Sequence, residues 1–335
     1  MFKKLISSFV VFIMALGFGS TFFGCAGSDG IIILTTGEEE RIEFLSAKLE
    51  ERFPDYDITL QYVGTGELYS KLNEEKKDIT GDIVYDFEVT NMEMLLAETP
   101  DLFYDLSDYD FSKYVENAKA HTSRHKKYAV DVKQDGAIIV NKNVLGSRPI
   151  PTTYSDLINP IYKDLICMPN PNQSGTGYCF YSGMFAKLGE DIAPGYFKSL
   201  DDNIDEYTSS GSVPIKRVNS GEMGIGVCML WQAVKYKNEN PELEVVLLEN
   251  TLPYTLYGMA MINGREARPE VKEVFDYLFT DLNKLCVEEF NAEKLFVDQG
   301  ECKVPNYPST FAELNMPRLY DFEYKQQLLD RWGRN

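Results

Sequence analysis

The chain has 335 residues, and its 33 lysines and arginines face 52 aspartates and glutamates, for a formal net charge of −19. So acidic a surface argues against nucleic acid as a partner, because nothing would neutralise the phosphates. With 2 histidines in the whole chain, a Ser-His or Cys-His nucleophile has few bases to draw on.

The first residues, Met1-Phe2-Lys3-Lys4, precede an apolar stretch from Leu5 to Phe23 that Ser7, Ser8, Gly17, Gly19 and Ser20 interrupt. Two lysines, a short apolar run and then small residues are the layout of a secretory signal peptide over 1–24, and a poor permanent span. The segment ends Phe22-Phe23-Gly24-Cys25, which resembles a bacterial lipobox, with Phe22 in place of the usual aliphatic residue. A lipidated Cys25, with 25–30 as a short flexible tether, would anchor the chain to a membrane from outside the cytoplasm. Removing the leader leaves roughly 310 residues, enough for one large or two modest domains with a substantial core.

Apart from Cys25 the cysteines are Cys167, Cys179, Cys228, Cys286 and Cys302, an odd number without a C-x-x-C pair. A zinc or redox motif is therefore not expected. Cys167, Cys179 and Cys228 stand in apolar runs and read as small core residues, and Cys286 and Cys302 are left as one pair open to bridging.

Ile31-Ile32-Ile33-Leu34 reads as a buried strand that ends at Thr35-Thr36-Gly37. Glu38-Glu39-Glu40 suits a first helical turn, Ile42, Leu45, Leu49 and Phe53 recur at helical spacing, and Pro54 stops the helix. Ile58, Leu60 and Tyr62 alternate as a second strand closed by Gly64-Thr65-Gly66, and a helix with Leu68 and Leu72 follows. Gly81–Tyr85 is a third strand, so this half predicts an α/β unit with a largely parallel sheet. Ala129-Val130 and Gly136–Asn141 are further strand candidates. After Pro149 and Pro151 the pattern restarts with a short strand, Ile166–Met168, leading through Ser174-Gly175-Thr176-Gly177 into a helix with Tyr178, Tyr181, Phe185 and Leu188. Ser209-Ser210-Gly211-Ser212-Val213-Pro214 opens another helix, with Ser212 as cap and Pro214 in the first turn. Gly224–Leu230, Leu243–Leu248 and Tyr257–Ile262 are strands, and helices around Val271–Leu278 and Glu323–Arg331 finish the chain.

In open α/β sheets, ligands sit beyond the C-terminal strand ends, against helix N-termini. Those ends carry Thr35-Thr36-Gly37, Gly64-Thr65-Gly66, Ser174-Gly175-Thr176-Gly177 and Ser209-Ser210-Gly211-Ser212. Glycine admits a ligand to the backbone, hydroxyls donate hydrogen bonds, and free N–H groups at the positive helix end favour an anion. Any one such segment taken alone reads first as a turn and an N-cap, but the recurrence at four corresponding junctions marks Thr35, Thr36, Gly37, Thr65, Gly66, Ser174, Gly175, Thr176, Ser210, Gly211 and Ser212, with Tyr257, as candidate ligand residues.

Pro171–Tyr178, Tyr207–Pro214 and Gly221–Gly226 resemble the extracellular solute-binding proteins of bacterial ABC importers, in the branch that serves ferric iron, 2-aminoethylphosphonate, phosphoglycerate and related anions. The resemblance implies a two-lobed type II periplasmic-binding fold with hinge crossover strands and a ligand in the cleft. It divides the chain into a first lobe of 29–133 plus 255–285 and a second of 134–254 plus 286–335. It also implies a small anionic ligand, an ABC permease as partner, a monomer, and no enzymatic activity, cofactor or resident metal. Iron binders of this branch carry adjacent tyrosines where this chain has Cys228-Met229-Leu230-Trp231, so the expected ligand shifts towards a phosphonate or phosphate ester, with iron or an iron–anion complex second and an enzyme on the same fold third.

Other motifs carry less. His121 and His125 are spaced for one helical face, but Arg124, Lys126 and Lys127 would repel a metal, and a basic surface loop fits better. Gly175-Thr176-Gly177 lacks the third glycine of a dinucleotide fingerprint, since Phe180 stands there. Arg148, Lys216 and Arg217 read mainly as solvated charges. Asp82 and Glu88 flank a strand end from which they would bind an amino group if they reached the cleft.

Overall fold

A computed structural model describes residues 30–122 and 126–333. The expected signal peptide, Cys25, most of the expected tether and His125 lie outside the described residues.

In chain order the first half holds β1 (Ile31–Thr35), α1 (Glu39–Arg52), β2 (Ile58–Tyr62), α2 (Thr65–Glu75), β3 (Ile83–Glu88), α3 (Val89–Glu98), α4 (Glu116–Thr122), β4 (Ala129–Asn141) and α5 (Lys142–Leu145). The second half holds β5 (Ile166–Pro169), α6 (Gly175–Leu188), α7 (Ala193–Asp201), β6 (Ile204–Thr208), α8 (Val213–Ser220), β7 (Ile225–Met229), α9 (Leu230–Glu239), β8 (Leu243–Val246), β9 (Thr251–Leu252), β10 (Tyr254–Met261), α10 (Pro269–Tyr277), α11 (Asn283–Phe290), β11 (Ala312–Glu313) and α12 (Phe322–Trp332). Among the described residues no helix is long and apolar enough to cross a membrane.

The strands run in the order β2-β1-β3-β10-β4-β7-β5-β6, with β8 also on β4. β1 pairs in parallel with β2 and β3, and β5 pairs in parallel with β6 and β7. A strand between two neighbours with helices on both faces is buried along nearly its whole length, as in β1 and β3, where even Thr35, Asp86 and Glu88 are buried; the edge strand β2 half-buries Ile58 and Leu60 and exposes Thr59 and Gln61.

The two segments Ala129-Val130 and Gly136–Asn141 are one strand of 13 residues. Its first part pairs antiparallel with β10, from Ala129↔Met259 to Asp135↔Tyr254. From Gly136 onward it pairs antiparallel with β7, and from Ile138 with β8. The change of partner falls at Gly136, whose N–H donates to Pro253 O at 2.7 Å. A Cβ there would stand 3.2 Å from the Pro253 ring, a tight contact that would push the two crossing strands slightly apart, and glycine avoids it. β4 and β10 thus carry the chain out of one lobe and back, giving the two-lobed type II periplasmic-binding fold with its hinge crossover strands.

Each lobe has its own core. Ile33, Leu34, Val84, Phe87, Met261 and Phe275 belong to one. Ile138, Met168, Phe180, Phe197, Leu328 and Trp332 belong to the other. The end of the chain divides differently from the expected limits. Cys286, Val287, Phe290, Leu295 and Phe296 pack in the first core; Val304 and Phe311 then pack against Ala137, Leu230, Val234 and Leu252 of the second lobe, and Leu314 and Met316 enter its main core. The reason is local: a π-helical turn, Leu278–Leu282, joins α10 to α11 without a break, so α11 stays on the first lobe. Cys167, Cys179, Cys228 and Cys286 are buried free thiols, and Cys302 is free and half-buried, so no Cys286–Cys302 bridge forms.

Candidate functional site

One wall of the cleft is built where β5 and β6 end. After Pro169, Asn170 winds the chain into α6: its carbonyl accepts from Gln173 N and Ser174 N at 3.0 and 2.9 Å. Its side-chain oxygen takes the N–H of Asn172 and the Trp332 indole N–H, each at 3.0 Å. A Cβ on Gly177 would collide with the Pro169 carbonyl, so the glycine sets the helix start hard against the strand. A Cβ on Gly175 would fall 2.6 Å from the Tyr257 hydroxyl. The N–H groups of Thr176 and Gly177 meet no acceptor among the described residues, as the geometry of a helix start requires.

The second loop nests into the first. Thr208 Oγ1 donates to Ser210 O at 2.9 Å, and the Ser210 and Ser212 hydroxyls lie 3.2 Å apart. Gly211 passes so near Thr176 Oγ1 that any Cβ would collide with it. Ser212 occupies the cap position of α8 without a side-chain cap bond, because its backbone is already helical and its hydroxyl turns to Ser210; Pro214 does sit in the first turn. Two helix N-termini and a set of hydroxyls therefore converge on one spot with unspent donors.

The opposite wall is carboxylic. Thr35 is fully buried, and its Oγ1 accepts from Gly37 N at 3.0 Å. Thr36 Oγ1 donates to the Asp86 carbonyl. Glu38 caps α1. Asp86 has φ +57°, rare for a residue with a side chain, and its carboxylate accepts from Arg41 Nε at 2.7 Å. Its N–H donates to Asp131 Oδ2 at 2.7 Å. Arg41 also donates from Nη1 to Asn291 Oδ1 at 3.1 Å.

Three carboxyls thus share one buried guanidinium. Burial, then the nearby Asp86, pushes the Glu38 carboxyl up to about 8. The same two causes hold Asp131 well above the ordinary range. Burial opposes the charge on Arg41, but Asp86 and its other neighbours keep the guanidinium well above its ordinary value. Glu38 Oε2 and Asp86 Oδ1 are buried without a hydrogen-bond partner.

The crossover strands supply the floor: Tyr257 from β10, and Gln134 from β4, whose amide oxygen is held by the Trp231 indole at 3.2 Å. Contacts close the cleft from both sides. Gly175 N donates to Thr65 Oγ1 at 3.3 Å, Gly66 N to Gln173 O at 3.5 Å, and Tyr62 OH to Ser210 Oγ at 3.4 Å. At the rim Lys216 meets Glu39 at 2.7 Å and Lys235 meets Glu40 at 3.3 Å. The cavity left between the walls is about 20 Å³, room for about one water. A neighbouring chamber of about 420 Å³ lies between α2, α3 and α12, beyond the Thr65–Gly175 contact.

The structure brings together Thr36, Thr65, Ser174, Gly175, Thr176, Ser210, Gly211, Ser212 and Tyr257 around this cavity. Thr35 and Gly37 lie behind it as the support of Asp86, and Gly66 faces the chamber. Sequence reading missed Glu38, Tyr62, Asp86, Gln134 and Gln173. It looked instead to Asp82 and Glu88, which are spent elsewhere. Asp82 pairs with Arg268 at 2.9 Å and accepts from Ile32 N at 2.9 Å. Glu88 caps α3 and pairs with the buried Lys325. Arg148 donates to Ile161 O, Lys216 is at the rim, and Arg217 pairs with surface carboxylates; none of them lines the cavity. Cys228 and Met229 are buried in β7. His121 ends α4, half-buried against the Tyr320 hydroxyl, and is no surface loop residue.

Comparison with known proteins agrees with this architecture. A family model described as "Bacterial extracellular solute-binding protein" matches residues 82–290. An uncharacterized protein of Haemophilus influenzae is 23% identical over 294 residues, covering 83% of each chain. Among solved structures, the periplasmic binding protein P5PA superposes with a TM-score of 0.77 at 21% identity, covering 91% of this chain and 99% of that one. AfuA from Actinobacillus pleuropneumoniae, with exogenous fructose-6-phosphate bound, gives 0.74 at 20% identity over 91% and 98%. Iron-bound HitA from Pseudomonas aeruginosa gives 0.68 at 14% identity over 91% and 99%. The family match spans more than half of the chain, and with the two-lobed fold it makes this chain a member of the bacterial extracellular solute-binding proteins, extracytoplasmic by family.

Proposed function

We propose that this chain captures a small solute bearing a phosphonate or phosphate-ester group between its lobes and delivers it to the permease of an ABC importer. It works as a monomer held at the membrane by a lipid on Cys25, and it turns nothing over. One observation carries the reading: the starts of α6 and α8 converge on one cavity, with the N–H groups of Thr176 and Gly177 meeting no acceptor among the described residues and the hydroxyls of Ser210 and Ser212 engaged only with each other and, at Ser210, with the Tyr62 hydroxyl that reaches across the cleft. Donors fixed in place by tight glycine contacts lose little entropy on meeting an oxyanion. Among the described residues no histidine lines the cavity, so its hydroxyls have no imidazole base beside them, which favours binding over turnover.

A thermal-shift screen of phosphate esters and phosphonates tests this. The expected result is a rise in melting temperature, with the compound recovered unchanged. Conversion of the compound, or no shift with any oxyanion, overturns it. Ferric iron is a second reading, because Tyr62, Tyr257, Glu38 and Asp86 place hard oxygens around the same cavity. Against it, burial raises the pKa of both phenols and so disfavours the phenolates that iron needs. A visible charge-transfer band on titration with ferric citrate would support iron, and a colourless titration removes it.

A further inference from the structure

The lobes also touch at a place away from the crossover strands and the cavity. Helix α12 belongs to the second lobe. Its Tyr324, Leu328 and Trp332 lie in that core, Tyr324 OH donates to Glu190 Oε1 at 2.5 Å, and the Trp332 indole N–H donates to Asn170 Oδ1 at 3.0 Å. Yet α12 packs on α3, whose Val89, Met92 and Leu95 belong to the first core. Two polar contacts cross there. Lys325 pairs with Glu88, the two side chains 3% and 1% exposed, and Thr90 Oγ1 donates to the Leu319 carbonyl at 2.6 Å.

The halves of this ion pair are held unequally. Glu88 is fixed within the first lobe: its carboxylate accepts from Thr90 N and Asn91 N at 3.3 and 3.2 Å, and from Thr255 Oγ1 of β10 at 3.4 Å. A carboxylate at a helix start is stabilised there with or without a cation. Among the described residues Lys325 meets no second carboxylate; its Nζ stands over the Tyr178 ring, 4.3 Å from the centroid, and its side chain lines the chamber between α2, α3 and α12. Burial pushes the Lys325 ammonium below its ordinary value against the pull of Glu88, so this charge is costly to bury without that partner. The other cross-lobe contacts are weaker. Those in the cleft join neutral groups at 3.3, 3.5 and 3.4 Å, and the rim pairs Lys216–Glu39 and Lys235–Glu40 reach solvent.

We propose that α12 is a latch: the Lys325–Glu88 pair, with the Thr90–Leu319 bond, sets the fraction of molecules whose lobes are closed and so tunes affinity from outside the cavity. Only closed lobes present both walls to a solute, and apparent affinity falls with the closed fraction. The latch operates whichever solute the cleft takes. On opening, Lys325 leaves Glu88 for water in the chamber, while Glu88 keeps its donors at the start of α3. Through Trp332 the same helix holds Asn170, which winds the chain into α6, so the latch and the start of α6 move as one body.

The test is small-angle X-ray scattering of the full chain without added solute, its radius of gyration set against that of this structure. The wild type is expected at the compact value. Removing one partner of a buried pair penalises the state in which the other stays buried, here the closed state, so Lys325→Met should raise the radius. Lys325→Gln, which keeps a donor without the charge, is expected to do the same and serves if the methionine variant does not fold. Adding Glu88→Gln to Lys325→Met removes the unpaired charge and should bring the radius part of the way back, which damage to packing alone would not allow. Where glucose 6-phosphate binds the wild type, Lys325→Met should weaken it by about 5- to 30-fold, the effect of one or two kcal/mol. A radius unchanged in both single variants, a wild type already expanded, or no return in the double variant overturns the latch. Failure of glucose 6-phosphate to bind bears on the proposed solute and leaves the scattering result to decide the latch.

Discussion

The two walls of the cleft use the same local device, a strand running into a helix, and arrive at opposite chemistry. In the second lobe the loops end in small residues, and tight contacts at Gly175, Gly177 and Gly211 strip the wall down to backbone N–H and hydroxyl. In the first lobe the corresponding loops are backed by a buried assembly of Asp86, Asp131, Arg41 and Asn291, and the wall presents carboxyl oxygen. A helix start supplies a fixed, modest positive field; what a site selects is then decided by the side chains that long-range packing adds to it.

The comparison can be broken most severely at Arg41. This guanidinium is fully buried and is the counter-ion to Asp86. Arg41→Met leaves carboxyls buried without it, and by analogy with other broken buried pairs costs about 3–5 kcal/mol, read from urea unfolding. A loss below about 1 kcal/mol would show that the carboxyls are already neutral or hydrated.

The other wall is attacked at Gly177. Gly177→Ala drives a Cβ into the Pro169 carbonyl, which cannot swing aside as a side chain could. Overpacking of this kind costs about 1–3 kcal/mol and should weaken solute binding as well, because it displaces the α6 start. Unchanged affinity would place the oxyanion elsewhere.

A pH series sharpens the electrostatic half of the contrast. Glu38 ordinarily titrates at 4.5 and is pushed to about 8. The folded chain therefore keeps a proton that the unfolded chain has lost. Stability from this group is full below 4.5 and is lost as pH rises through about 8. The groups facing it are Asp86 on β3, Arg41 and Glu40 on α1, Tyr62 on β2 and Tyr257 on β10; across the cavity stand hydroxyls, backbone N–H groups and the Gln173 amide, with no titratable side chain among the described residues. Glu38→Gln should flatten the fall in stability between those limits, followed by thermal unfolding of the ligand-free chain. An unchanged slope would assign it to Asp131. The smallest effect belongs to the rim. Lys216 and Glu39 are both largely exposed, and Lys216→Ala should cost at most about 1 kcal/mol, measured by denaturant midpoint.

Much of the second-lobe wall was legible in the sequence, because glycines and hydroxyls at a strand-to-helix junction act through local backbone geometry. Ser174-Gly175-Thr176-Gly177 does in space what its spacing announces. The first-lobe wall was not. Asp86 and Glu88 lie on one short strand and Asp82 just before it, and nothing local says that Arg268 takes Asp82, Lys325 takes Glu88 and Asp86 is the one that reaches the cleft. Those partners lie far along the chain. The same holds for β6, whose Ile204-Asp205-Glu206-Tyr207-Thr208 is too polar to read as a strand and becomes one by pairing with β5 at the sheet edge. It also holds for α11, which stays with the first lobe because α10 runs directly into it.

The solute is expected between the two walls, with its anionic end on the helix starts. The most direct measurement is a crystal structure of the chain with the solute it carries from its own cell. The expected result is an oxyanion within hydrogen-bond distance of Thr176 N and of the Ser210–Ser212 loop. A solute seated in the chamber beside α12, or one whose oxyanion turns away from the α6 start, would contradict it.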